Sequence, residues 1–330
     1  MGALKSVYDI KLIILRISIT KVNRFCCLLA FFFISFYISP VKGTPFVVDE
    51  YRPGNFVHFG TDEPRSKLNL GDNANIGFIV GDSCVVVIDA GGSYEVGRRL
   101  RKSIRQVTAK PICYVIITHA HPDHFFGAGA FKQDEPKFVG HAGLSGQLRS
   151  RERFYKKQLF NDLGALAKGS QSVQPDMVVE AGTSLTLSIG KNHDVEVRAW
   201  RPAHTDHDLS VLDLKQKVLW TGDLVFTDHI PILDSNITSF ISVSEELRQL
   251  DQNFFVPGHG RPSQLWKKAL DMQIDYLNVL MRETREEIKK GSRLMQAVHS
   301  VGWSEKHNWL NFEFFHRRNV TTAWTELEWE

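Results

Sequence analysis

Three imidazoles and a carboxylate fall within seven residues, Thr118-His119-Ala120-His121-Pro122-Asp123-His124, directly behind the apolar stretch 113–117. Neutral imidazole nitrogen and carboxylate oxygen suit zinc, at bond lengths of about 2.0 to 2.2 Å, and close spacing lets one loop supply most of the ligands. In an extended segment His119 and His121 point to one side, whereas Asp123 and His124 need a turn before they face a neighbouring point. Pro122 fixes its own backbone angle and keeps His121 extended, which stiffens that turn. Scattered histidines would read as a solvated loop; this density reads as a metal site.

The elements that must position this loop alternate along the chain. Short strands are expected at 56–60, 75–80 and 85–88, separated by turns containing Gly, Asp and Asn. A helix follows, with Val96, Leu100, Ile104 and Val107 at three- and four-residue spacing. The second half repeats the alternation with strands at 184–187, 195–199, 209–214 and 218–220. Long amphipathic helices are expected at 144–166 and 264–290. Two strand-rich halves with covering helices fit an α/β (α+β) four-layer αββα sandwich. The segment 167–176, rich in Gly, Ser and Gln, reads as a surface loop, either a plain connector or a cover for the site. The segment 226–240 is expected to wall the pocket, with plain packing as the alternative.

The order of these residues resembles the metallo-β-lactamase superfamily, whose H-x-H-x-D-H motif follows a strand. The resemblance extends to His204 in Ala203-His204-Thr205-Asp206, Asp223 in Thr221-Gly222-Asp223-Leu224, and His259 in Pro257-Gly258-His259-Gly260. It implies two zinc ions, one held by His119, His121 and His204, the other by Asp123, His124 and His259, with Asp223 bridging. It also implies that Asp89, in Val87-Ile88-Asp89-Ala90-Gly91, supports the ligands from behind; on its own Asp89 would read equally as a turn residue. Asp123 and Asp223 are the expected catalytic residues, Asp123 orienting a shared hydroxide and Asp223 holding the metal pair. A narrower resemblance rests on Pro53-Gly54-Asn55-Phe56-Val57-His58, Asn75-Ile76-Gly77-Phe78-Ile79-Val80-Gly81, Lys110-Pro111-Ile112-Cys113-Tyr114-Val115-Ile116 and Asn319-Val320-Thr321-Thr322-Ala323-Trp324. These stretches look like exported quinoprotein relay system zinc metallohydrolases, a group associated with quinoprotein dehydrogenase and sulfur-oxidation systems.

Rival chemistries separate on ligand type. Diiron oxygen reductases of the superfamily place Glu where this chain has His121, and they need a flavin domain not apparent here. Persulfide dioxygenases use one iron, Fe2+, with fewer ligands, and stand as an alternative. β-Lactamases with this motif commonly lack the bridging aspartate, so Asp223 favours ester, lactone or thioester hydrolysis. A non-catalytic accessory factor that binds a small molecule for a dehydrogenase system is the reading from a different class.

At 330 residues and 43% apolar the chain is long enough for one large domain. Its net charge of +3 is concentrated at the N-terminus, where Lys5, Lys11, Arg16, Lys21, Arg24 and Lys42 stand against one acid, Asp9. The remainder is mildly acidic. That disfavours a nucleic-acid partner, which would call for a basic field, and leaves a small molecule as the expected substrate. The basic leader, the apolar run 25–38 and the break at Pro40 and Gly43 read as a signal peptide over 1–43, with the hydrolase domain at 44–330 and a periplasmic or secreted location. An uncleaved membrane anchor is the alternative, although the apolar run is short for a span of about 20 residues. Cys84 and Cys113 are expected as buried free thiols, or as a disulfide if their strands are neighbours. His141 and His229 are read as structural hydrogen-bonding histidines near the site. Asn236 and Asn319 head N-x-T sequons.

Overall fold

The computed structural model describes residues 46–330. The leader assigned to residues 1–43 therefore lies outside the described residues, and so do Cys26 and Cys27. Among the described residues no helix is long and apolar enough to cross a membrane.

Among the described residues twelve strands form two sheets. In chain order the first sheet contains β1 (Asp49–Arg52), β2 (Asn55–His58), β3 (Ile76–Val80), β4 (Val85–Ile88), β5 (Ile112–Ile116), β6 (Lys137–His141) and β7 (Met177–Val179), each beside the next. The second contains β8 (Ser184–Gly190), β9 (His193–Ala199), β10 (Leu209–Asp213), β11 (Val218–Phe226) and β12 (Phe254–His259), again neighbours in order. β1 to β4 pair antiparallel and β4 to β7 parallel, so helices must cross over between the later strands. The helices are α1 (Tyr94–Val107), α2 (Pro122–Phe125), α3 (Leu144–Leu163), α4 (Ile237–Arg248), α5 (Trp266–Lys289), α6 (Leu294–Ser300) and α7 (Phe312–Leu327).

The layering follows from period-two burial. In β4, Val85 and Val87 pack with Val96, Leu100 and Ile104 of α1, while Val86 and Ile88 face Val195, Val197 and Val211 of the second sheet. The outer face of the second sheet is covered by α4, α5 and α7, where Leu224, Phe226 and Phe255 meet Phe240, Tyr276, Leu277 and Val320. Helix, sheet, sheet, helix is the four-layer order expected. Val107 departs from its helix face: it is the last residue of α1 and is 44% exposed.

The free-thiol expectation for the cysteines is corrected. β4 and β5 are parallel neighbours, which sets the Cys84 and Cys113 Cα atoms 5.8 Å apart, and their sulfurs are joined as a disulfide. The segment 167–176 is a connector: Ser170 accepts from the Tyr94 amide and the Gln171 amide donates to Phe126. Residues 226–240 do both things considered for them. Ile230, Leu233, Ile237 and Phe240 are core, while His229, Ile232 and Asp234 line a cavity.

Candidate metal centre

The seven candidate ligands read from the sequence arrive from four stretches of the chain, the loop after β5 running into α2 being one, all at one end of the sheets. His119 and His121 lie just after β5, and Asp123 and His124 on α2, where His121 is extended (φ −90°, ψ 142°) and Pro122 opens the helix, as the Pro-stiffened turn requires. His204 lies between β9 and β10, Asp223 on β11, and His259 ends β12. β11 shifts register around Gly222, whose φ of +50° is a conformation that glycine adopts at no steric cost. Gly258 is required by space, because a Cβ there would collide with Asp223 Oδ1.

Two groups form within this constellation. In the first, His121 Nδ1 lies 3.0 Å from His119 Nε2 and 2.9 Å from His204 Nε2, and Asp223 Oδ2 lies 3.2 Å from His204 and 3.6 Å from His119. Ligands about 2.1 Å from a tetrahedral ion stand roughly 3.4 Å apart, so these four atoms outline such a site with slight contraction. In the second, His259 Nε2 lies 3.3 Å from Asp123 Oδ2, and His124 Nε2 lies 3.9 Å from the same oxygen. Asp223 turns its other oxygen here, Oδ1 standing 3.2 Å from His124 Nε2 and 3.5 Å from His259 Nε2.

Satisfied and orphaned atoms separate the supports from the ligands. Asp89 Oδ2 accepts from His124 Nδ1 (2.7 Å) and the Thr118 hydroxyl (2.8 Å), and Oδ1 accepts from the Thr118 amide (2.8 Å). Asp89 holds this position at φ +57°, a strained conformation for a side chain with a Cβ. His204 Nδ1 donates to Ile232 O at 2.6 Å. By contrast, His124 Nε2 and Asp223 Oδ1 are buried without a hydrogen-bond partner. A buried orphan costs about 1–3 kcal/mol, and more when charged. Two of them facing each other in a nest of imidazoles fit a cation between them, and the donor set of nitrogen and carboxylate oxygen is compatible with a metal.

The electrostatics divide the two groups, leaving the histidines of the first neutral and favouring protons on those of the second. Burial, reinforced by the neighbouring imidazoles, holds His119 well below the usual histidine range, and burial takes His204 down to about 4, so both stay neutral. Burial would also depress His124 and His259, but the surrounding carboxylates, Asp223 first, outweigh it and push His124 well up and His259 to about 10. Burial alone would raise Asp123 and Asp223; the adjacent imidazoliums override it and hold both well below the usual carboxylate range.

The cluster opens into a cavity of about 930 Å³ lined by Asp123, Asp223 and His259, with Arg65, Arg151, Tyr155 and Arg318 among its walls. His229 sits against His259 with ring centroids 5.1 Å apart, and its Nδ1 donates to Ile230 O, a hydrogen-bonding role as expected. His141 Nδ1 accepts from the Gly143 amide, outside the ligand groups. Sequence reasoning missed several supports. Asp208 receives the Thr205 amide and hydroxyl, and His207 Nε2 accepts from the Ala120 amide, so both shape the loops carrying His204 and His119. Burial pushes Asp208 up to about 8. Asp234 accepts from His121 Nε2 at 2.9 Å and went unassigned within a segment read as a pocket wall or plain packing. The sequons are occupied structurally: Asn236 caps α4, and the fully buried Asn319 amide is used on both sides.

Residues 70–259 match the family model described as the metallo-beta-lactamase superfamily, a span containing Asp89 and all seven clustered ligands. The chain belongs to that superfamily, whose members are generally hydrolases. Among curated proteins it is 27% identical over 116 residues to a linear primary-alkylsulfatase of Pseudomonas sp., covering 35% of this chain and 20% of that protein. It is 25% identical over 184 residues to the 2,4-dinitroanisole O-demethylase subunit alpha of Nocardioides sp., covering 55% of this chain and 51% of the relative. The chain thus spans about a fifth of the first relative's length and about half of the second's. Among solved structures, the stereoselective inverting sec-alkylsulfatase Pisa1 from Pseudomonas sp. superposes with a TM-score of 0.63 at 18% identity, over 84% of this chain and 50% of that one. A metallo-beta-lactamase from Pontibacter korlensis gives 0.57 at 19%, over 71% and 99%. At such identities these two likenesses concern the fold alone.

Proposed function

We propose that this chain is a dinuclear zinc hydrolase that cleaves an ester, lactone or thioester of a small carbonyl compound, and that it is exported by the leader read at 1–43. The observation that carries the reading is Asp223, one oxygen of which faces His119 and His204 while the other faces His124 and His259. Two divalent ions held by these residues would make water nucleophilic near neutral pH and would polarise the oxygen of the group under attack. The protein's own groups supply orientation. Asp123 spends Oδ2 on the His259 side of the centre and keeps Oδ1 to accept a hydrogen bond from the attacking water or hydroxide and so orient it. The association with a quinoprotein or sulfur-oxidation system belongs to the proposal only through the flanking motifs.

The cavity wall supports a substrate with an apolar portion. From His259 the rings of His229, Phe315 and Phe314 follow one another at centroid spacings of 5.1, 5.2 and 4.8 Å, and Phe314 ends the series 64% exposed. Tyr155 and Phe154 add to the same cavity. Sulfate-ester hydrolysis is a second reading, favoured by the curated alkylsulfatase relative and by the guanidinium groups of Arg65, Arg151 and Arg318 along the cavity.

The test is turnover by the zinc-replete protein on matched esters, lactones, thioesters, β-lactams and alkyl sulfates. Carbonyl esters or thioesters should lead, and Asp123→Asn should lower kcat by about 10²- to 10⁴-fold while the fold persists. β-Lactams as much the best substrates would overturn the argument from Asp223, and alkyl sulfates in that place would install the second reading. Complete inactivity with tight quinone binding would replace hydrolysis by an accessory role.

A further inference from the structure

The first ligand group is tied to a part of the chain beyond the residues that match the family model. His121 turns Nδ1 towards the cluster and donates from Nε2 to Asp234 Oδ2 at 2.9 Å. The other oxygen of Asp234 meets Arg318 Nη2 of α7 at 2.5 Å. The backbone of the same segment holds a second ligand, because the Asp234 amide donates to His204 O at 3.0 Å and His204 Nδ1 donates to Ile232 O at 2.6 Å. Residues 231–234 therefore grip two of the three histidines of this group.

The segment is itself gripped from α7. Asn319 accepts from the Leu233 amide (3.0 Å) and donates to Pro231 O (2.7 Å), and its amide also reaches Tyr276 Oη on α5 at 2.9 Å. Tyr276 in turn donates to His316 Nδ1 at 3.0 Å, and His316 Nε2 donates to Val301 O at 2.7 Å. Asn319, Tyr276 and His316 are fully buried, so this chain of hydrogen bonds is not exchanged with solvent.

The chemistry of a ligating histidine gives this arrangement a purpose. An imidazole that must offer Nδ1 as a lone pair has to keep its proton on Nε2, and a carboxylate accepting that proton fixes both tautomer and ring plane. Arg318 holds the carboxylate against rotation and offsets its charge.

We infer that Asp234, anchored by Arg318, is a positioning residue for His121, and that α7 is an integral part of the first metal position through residues 231–234. The inference rests on the reading of the cluster as a metal centre. It assigns α7 a role that packing alone would not require. Loss of the clamp should loosen one metal position and spare the other, whose ligands Asp123, His124 and His259 make no contact with this segment's carboxylate.

The experiment is chelator competition for cobalt, read by its ligand-field absorption, on the full chain and on Asp234→Asn, Asp234→Ala, Arg318→Ala and Arg318→Lys. Wild type should bind, and the Asp234 variants should lose affinity for one ion by about 10- to 100-fold with an altered spectrum. Arg318→Ala should lose several-fold, and Arg318→Lys should recover part of it, because charge returns without the planar fork. Arg318 has a side chain 46% exposed, so its variants keep the test decisive if an Asp234 variant does not fold. Wild-type affinities and spectra in the folded Asp234 variants, or in both Arg318 variants, would overturn the positioning role alone. A wild-type protein that binds no metal would overturn the reading beneath it as well.

Discussion

Asp223, Asp89 and Asp123 around His124, and Asp223 and Asp123 around His259, favour the protonated imidazoles, whereas burial and neighbouring imidazoles favour neutral His119 and His204. A metal must displace whatever proton its ligand holds, so uptake at pH 7 should release about two protons per chain from His124 and His259, besides any that the activated water gives up. The sign follows from the direction of the shifts: lowering the pH favours the protonated imidazoles and weakens apparent affinity, and raising it towards 10 removes the competition at His259. Calorimetry in buffers of different ionisation enthalpy reads the release directly. A proton count of zero at pH 7 would contradict the charge states assigned to these two histidines. The clustered residues were legible in sequence because four of the seven sit in one six-residue span and the others occur in short, recognisable contexts. Asp234 was not, since its partner His121 is 113 positions away and nothing local distinguishes that carboxylate from a wall residue.

The strands and long helices were legible wherever burial has a period. α3 and α5 fall within a few residues of the expected 144–166 and 264–290, and β4 coincides with 85–88. Pairing between elements was not legible, and the cysteines are the clear case. Cys84 and Cys113 are separated by the whole of α1, and only the parallel pairing of β4 with β5 brings them together. The resulting bridge closes a separation of 29 residues, which constrains the unfolded chain. Replacing both cysteines by alanine should lower the unfolding free energy by about 2–4 kcal/mol. Metal content should be unchanged, since neither sulfur belongs to the ligand groups. Denaturant unfolding with metal analysis of the folded variant checks both parts; a double variant as stable as wild type would mean that the bridge does not form in solution. α7 shows the complementary limit. Its sequence stretch at 319–324 was visible as a motif, but its function as a clamp depends on contacts to residues 231–234 that no periodicity encodes.

Two sheets face each other across the core formed by Val86, Ile88, Val197 and Trp220, and the loops at one end converge on the cluster. The scaffold's contribution is convergence. A carboxylate on β11 is set between histidines from the loop after β5, α2, the β9–β10 connection and β12, and Gly258 leaves the space that the carboxylate occupies. The central claim is that this convergence makes one functional unit of two metal ions through Asp223. It is tested most directly by adding zinc stepwise to the metal-free chain and following both bound metal and the hydrolysis rate on the best substrate. The account predicts saturation at two ions per chain, with the rate developing only as both positions fill, and a loss of that stoichiometry in Asp223→Ala. Full activity at one ion per chain, with no further ion bound, would contradict it.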